Sequence, residues 1–144
     1  TLHMLGLLGA EGANYRALEY CGEAVQAMEI DDRMTLSNHA AELGAKAALL
    51  EADAKTIAWL KARGARDPRP VRADADAAYA RRIDIDAAQL PPQVARRHNI
   101  DDVVGVPEVK GQKINVALIG TCTNGRLDDI RQAAAILKGR RLAR

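Results

Sequence analysis

Phenylalanine is absent from this chain of 144 residues, and aromatic residues make up only 3% of it. Base-stacking platforms are built from aromatic side chains, so a role in holding single-stranded nucleic acid is not expected. Cysteine is scarce too. Cys21 and Cys122 are too few for a disulfide scaffold and suit a reducing compartment, so a cytoplasmic location is expected. Neither sign of charge dominates: 21 Lys and Arg stand against 19 Asp and Glu, for a net +2. Charges balanced and interleaved in this way give no reason to expect nucleic acid or an anionic membrane surface as a partner. The arginines at 66–72, 81–82, 96–97 and 140–141 are scattered and read as solvated surface. No apolar run approaches the roughly 18 residues that a membrane span requires. The glycines at 6, 9 and 12 lack the Gly-Lys-Ser/Thr ending of a phosphate loop and read as backbone turns. Internal repeats and low-complexity tracts are missing as well.

What remains is an apolar fraction of 48%, enough for a real core in a chain of this length. Residues 13–29 read as a helix, because Ala17, Tyr20, Cys21, Ala24, Val25 and Met28 recur at three- and four-residue spacing. That places Cys21 on an apolar stripe, as a packed thiol. A second helix is predicted over 33–43, capped by Asp32 and closed by Gly44. Residues 45–50 suit a buried strand and 54–62 a helix. Prolines and arginines make 64–73 a surface excursion. A helical turn is predicted near 75–80, a half-buried strand at 83–86, and a connecting segment over 94–112. Residues 114–121 carry the clearest strand pattern in the chain, and 125–138 the clearest helix, with Asn124 as its cap and Gly139 at its end. Strands alternating with helices argue for the α/β class.

Between that last strand and helix stands Gly120-Thr121-Cys122-Thr123-Asn124-Gly125-Arg126. A thiol in such a turn lies beside the positive end of a helix dipole. That setting favours the thiolate, which is both a nucleophile and a metal ligand. A thiol packed as a small hydrophobe is the other reading the residues leave open. Asn38 and Glu42 are four apart on one predicted helix and share a face. A carboxylate beside an amide can orient a metal-bound water, although a solvated polar face has the same spacing. Arg126 can bind a carboxylate in bidentate fashion or simply face solvent.

Three collinear stretches, at 9–20, 32–46 and 120–126, followed by Leu137-Lys138-Gly139-Arg140, together resemble the aconitase superfamily. Within it they are most similar to the family of 3-isopropylmalate dehydratase large subunits, with the homoaconitase large subunits beside it. The resemblance implies an aconitase-like α/β/α fold and a 4Fe–4S cluster. Three cysteines hold that cluster in the family, and its fourth iron stays open as a Lewis acid. Cys122 matches the first of the three; the other two form a Cys-x-x-Cys pair well downstream. Asn38 and Glu42 map onto an Asn and a Glu that contact the cluster and its bound solvent, which makes them the catalytic pair. Arg126 is the implied substrate-binding residue. His39 stands where the family has an apolar residue and reads as structural. The catalytic base of the family is a Ser of the small subunit, so that subunit is the implied partner and a substituted malate the implied substrate. The reaction implied is isomerisation of 2-isopropylmalate and 3-isopropylmalate by dehydration and rehydration, in leucine biosynthesis. Homoaconitase of lysine biosynthesis shares every motif present. Because the resembled subunits are several times longer, the chain is expected to be a central fragment, inactive alone. Residues 1–98 would be a central α/β domain. Residues 99–144 would be a connection plus the first strand and helix of the cluster-ligand domain. A stand-alone metal or redox module built on Cys122 is the reading from another class; a mononuclear site normally needs three or four ligands.

Overall fold

The structure, a computed structural model, describes residues 1–96 and 98–141. Arg97, one of the expected surface arginines, lies outside the described residues. Helix α1 (Leu2–Leu8) leads through turns to strand β1 (Ala17–Tyr20), helix α2 (Glu23–Ala27) and helix α3 (Ile30–His39). A 3₁₀ turn, Ala40–Leu43, continues α3 and ends at Gly44 in the left-handed conformation, φ 77°. Strand β2 (Ala47–Leu50) and helix α4 (Ala54–Ala62) follow. A long irregular excursion then precedes the short strands β3 (Gln93–Ala95) and β4 (Val103–Gly105) and the final helix α5 (Leu127–Leu137).

Strand β1 pairs with β2 in parallel, Ala17 opposite Ala47 and Tyr20 opposite Leu50, and α3 packs against β2. Strands β3 and β4 form an antiparallel pair that rests on α1. The architecture is therefore α/β, as the alternation predicts. Leu5, Ala13 and Leu43 make the core, with Leu18, Ala45 and Val103 packed around it. Leu5 and Leu43 are each 1% exposed, and full burial of such a side chain is worth about 1.5–3 kcal/mol. The Gly44 turn sets this core. It lets Ala13 N donate to Leu43 O at 2.9 Å and Lys46 N to Arg16 O at 2.8 Å, which hands the chain straight into the parallel ladder. The second fixed point is Arg33, 5% exposed, which donates to Asp53 Oδ2 at 2.7 Å, Gln26 O at 2.9 Å and Thr56 Oγ1 at 3.1 Å.

Of the helix predicted over 13–29, only Glu23–Ala27 is helical. Residues 17–20 are β1, and Gly22 sits at φ 99°, a value no right-handed helix passes through. The apolar spacing fitted a helix by chance, and pairing with β2 overrode it. Cys21 is consequently a free, exposed thiol past the end of β1 and not a packed one. Strand β2 is shorter than predicted and half-exposed. Residues 83–86 are unpaired, and 75–80 hold only a turn, with Ala77 N on Asp74 O at 3.0 Å. Helix α3 begins at Ile30, earlier than predicted. Glu29 is its cap, and Asp32 is the third helical residue, accepting from Glu29 N at 3.3 Å. Residues 114–121 form no strand either: Ile114, Val116 and Leu118 are 76%, 81% and 78% exposed. A strand must exchange hydrogen bonds with a neighbour, and among the described residues none is available there.

Candidate functional site

Helix α3 carries Asp31, Thr35 and Asn38 at i, i+4 and i+7, so the three line one face. The loop 120–126 docks on that face. Thr123 Oγ1 donates to Asn38 Oδ1 at 3.0 Å. Thr35 Oγ1 lies 3.1 Å from the Thr123 carbonyl, to which it donates. Arg126 Nη1 donates to that carbonyl at 3.0 Å and to Thr35 Oγ1 at 3.2 Å, while Arg126 Nε lies 4.0 Å from Asp31 Oδ1. Residues about 90 positions apart in sequence are thus fastened together by side chains of one helix face.

The loop itself is closed tightly. A Cβ at Gly125 would lie 2.8 Å from Gly120 Cα and 3.1 Å from Thr121 N, so no other residue fits where its two ends meet. Thr121 adopts φ 127°, a conformation rare for a β-branched residue. Such strain concentrates at functional loops. Cys122 follows it directly and is exposed, with its thiol free. Helix α5 starts only at Leu127, so Cys122 sits in the loop before the helix and not in its first turn. The α5 start is closed by Asp129, which accepts from Arg126 N at 2.9 Å. Asn124 is not the cap residue. Oriented with its nitrogen toward Asp129, its amide donates to Oδ1 at 2.8 Å. A cleft of about 320 Å³ lies along this junction, lined by Asp32, Thr35, Leu36, Asn124 and Asp129 among others.

Glu42 stands apart. The switch from α to 3₁₀ after His39 raises the turn per residue from about 100° to about 120° and swings Glu42 off the Thr35–Asn38 line. It is exposed, and among the described residues no hydrogen bond ties it to the loop. His39 is half-buried, and burial pushes its pKa down against the opposing pull of Glu42. The structure thus brings together Asn38, the Cys122 loop and Arg126, and leaves Glu42 at the rim. Asp31 and Thr35 escaped the sequence reading. Their signal was the seven-residue stripe ending at Asn38.

Among the described residues, no cluster of three or more His, Cys, Asp or Glu is arranged to hold a metal ion. Cys122 is a lone exposed thiol on a loop docked on α3. That fits one corner of a multi-cysteine cluster and does not fit a complete site. Among the described residues no helix is long and apolar enough to cross a membrane.

Residues 1–112 match the aconitase family (aconitate hydratase). The chain is similar over nearly its whole length to longer curated relatives. It is 44% identical over 142 residues to the probable 3-isopropylmalate dehydratase large subunit of Methanothermobacter thermautotrophicus, covering 99% of this chain and 34% of that protein. Identity is 46% over 143 residues to the 3-isopropylmalate dehydratase large subunit of Nitratidesulfovibrio vulgaris, with the same coverage of 99% and 34%. It is 43% over 142 residues to the probable methanogen homoaconitase large subunit of Methanosarcina mazei, covering 99% and 36%. The chain spans about a third of the length of the relatives it matches.

Proposed function

The chain belongs to the aconitase family, and from that premise we propose that it is the segment of a hydro-lyase large subunit that supplies Cys122 as one ligand of a 4Fe–4S cluster. The proposed reaction interconverts 2-isopropylmalate and 3-isopropylmalate by dehydration and rehydration, in leucine biosynthesis. The enzyme would be cytoplasmic, with a separate small subunit completing the site. Relatives bearing that name and subunit designation support this reading. The structural observation that carries it is the docking of the Cys122 loop on α3, where Thr123 Oγ1 meets Asn38 Oδ1 at 3.0 Å.

When bound, such a cluster supplies Lewis-acid polarisation of a leaving hydroxyl. The residues of this chain have distinct tasks around it. Cys122 offers a thiolate from an exposed position. Asn38, its Oδ1 held by Thr123, would orient solvent through its amide nitrogen. Glu42 takes up or returns a proton at its exposed carboxylate. Arg126 commits Nη1 to the loop, and its remaining guanidinium nitrogens are the donors proposed for a substrate carboxylate. Residues 1–98 and 99–144 are proposed as parts of successive domains, with the β3–β4 ladder joining them across the division.

Homoaconitase is the second reading, because the methanogen relative of that name matches at a similar identity. The test is a dehydratase assay of the full-length protein with its small subunit, on 3-isopropylmalate and on homoaconitate. Faster turnover of 3-isopropylmalate is expected. Preference for homoaconitate would reverse the order. An intact cluster with no turnover of either would leave a non-catalytic module.

A further inference from the structure

We propose that Thr35 is a positioning residue whose hydroxyl seats the Cys122 loop on α3. The purpose assigned to that seat rests on Cys122 being a ligand; the geometry stands without it. Three groups form a closed set: the Thr35 hydroxyl, the Thr123 carbonyl and Arg126 Nη1, at 3.1, 3.0 and 3.2 Å from one another. A hydroxyl has one proton and two acceptor lone pairs. Thr35 therefore accepts from Arg126 while donating to the Thr123 carbonyl or, alternatively, to Asp31 O, also at 3.1 Å. Thr123 is the next residue after Cys122. Fixing its carbonyl fixes the Thr123–Asn124 peptide, one residue beyond the ligand. Its side chain on Asn38 then ties the same peptide to the neighbouring turn of α3.

Valine has almost the shape of threonine and no hydroxyl. Thr35→Val leaves Thr123 O with one donor fewer and Arg126 Nη1 with one acceptor fewer, both partly buried. Thr35→Ser keeps the hydroxyl and should rescue. Ser37, two residues on, bonds Ala48 O on β2 at 3.1 Å and, among the described residues, makes no hydrogen bond to the loop, so Ser37→Ala reports a general weakening of α3.

Limited trypsin digestion of the full-length protein reads the clamp directly. Cleavage after Arg126 needs its guanidinium released and its backbone opened, whereas Arg82, with a side chain 83% exposed, is an internal reference. Thr35→Val should raise the rate at Arg126, relative to Arg82, about five-fold or more. Thr35→Ser and Ser37→Ala should stay within about two-fold of wild type. If Thr35→Val unfolds, Thr35→Ala is read by the same ratio. An unchanged ratio in the folded variant, or an equal rise in Ser37→Ala, overturns the proposal. In the full-length protein, iron loss to a chelator should be several-fold faster in Thr35→Val than in wild type. Cys122→Ser is the reference there. If it retains iron as wild type does, the ligand reading fails, while the trypsin ratio still decides the clamp.

Discussion

Arg33 joins α2, α3 and α4 through one guanidinium. It donates to Gln26 O and Met28 O at the end of α2 and to Asp53 and Thr56 at the start of α4. Removing it strands the carboxylate, although Asp53, with a side chain 29% exposed, retains some water. Arg33→Leu is therefore expected to cost about 2–3 kcal/mol in urea unfolding, below the full penalty of a wholly buried pair. Arg33, then the Thr56 N–H, hold the Asp53 carboxyl well below the usual carboxylate range. In acid the unfolded chain thus binds the extra proton first. The stability contributed is present above the unfolded value of about 4 and is lost as pH falls from there toward the folded one. Thermal melts should show wild type falling more steeply than Asp53→Asn below about pH 4, with the variant already lower at pH 7. At the proposed site, Glu42→Gln keeps shape and removes proton-accepting capacity. In the full-length enzyme kcat should drop about 10²–10⁴-fold with iron content unchanged; wild-type turnover would return Glu42 to a solvated rim. Cys122, Asn38 and Arg126 were candidates by residue type and motif, and the structure sets Asn38 and Arg126 against the Cys122 loop. The Thr35–Thr123–Arg126 set was not legible in the sequence, because its members meet only through tertiary docking.

At the scale of elements, legibility follows how local the deciding interaction is. Helix α4 was readable to its ends because its cap is local: Asp53 Oδ1 accepts from Thr56 N at 2.9 Å. Helix α5 was readable from its apolar stripe. Strand β1 was not, since its conformation is fixed by β2, some 30 positions away. The Gly44 turn was correctly placed because left-handed residues favour glycine. It predicts that Gly44→Ala is strained by its φ of 77° and by a Cβ 3.2 Å from Asn14 Cα, and loses about 1–2 kcal/mol in denaturant unfolding. Residues 114–119 show the opposite failure: a strong strand pattern with no described neighbour to pair with. Their amides should exchange with deuterium as fast as an open loop, while those of β1 and β2 are protected. Protection across 114–119 would mean that the segment finds a partner in solution.

At the scale of the whole molecule, the exposed apolar side chains of 114–119 and of α5, including Leu127 and Ile136 at 63% each, describe a surface without a core beneath it. That agrees with a chain spanning about a third of its relatives. The α/β class and the family were legible because three motifs lie in order along the chain. The division between domains at residue 98 is a proposal that the β3–β4 ladder and the packing of Val103 on the core both cut across. The central claim is that this segment contributes one cluster ligand, Cys122, from a loop held by α3. It is tested most directly by iron content and visible absorption of the full-length protein after anaerobic reconstitution, as wild type, Cys21→Ser and Cys122→Ser. The account predicts a full cluster in wild type and in Cys21→Ser, and its loss in Cys122→Ser without unfolding. A Cys122→Ser protein with wild-type iron and an unchanged spectrum would contradict it.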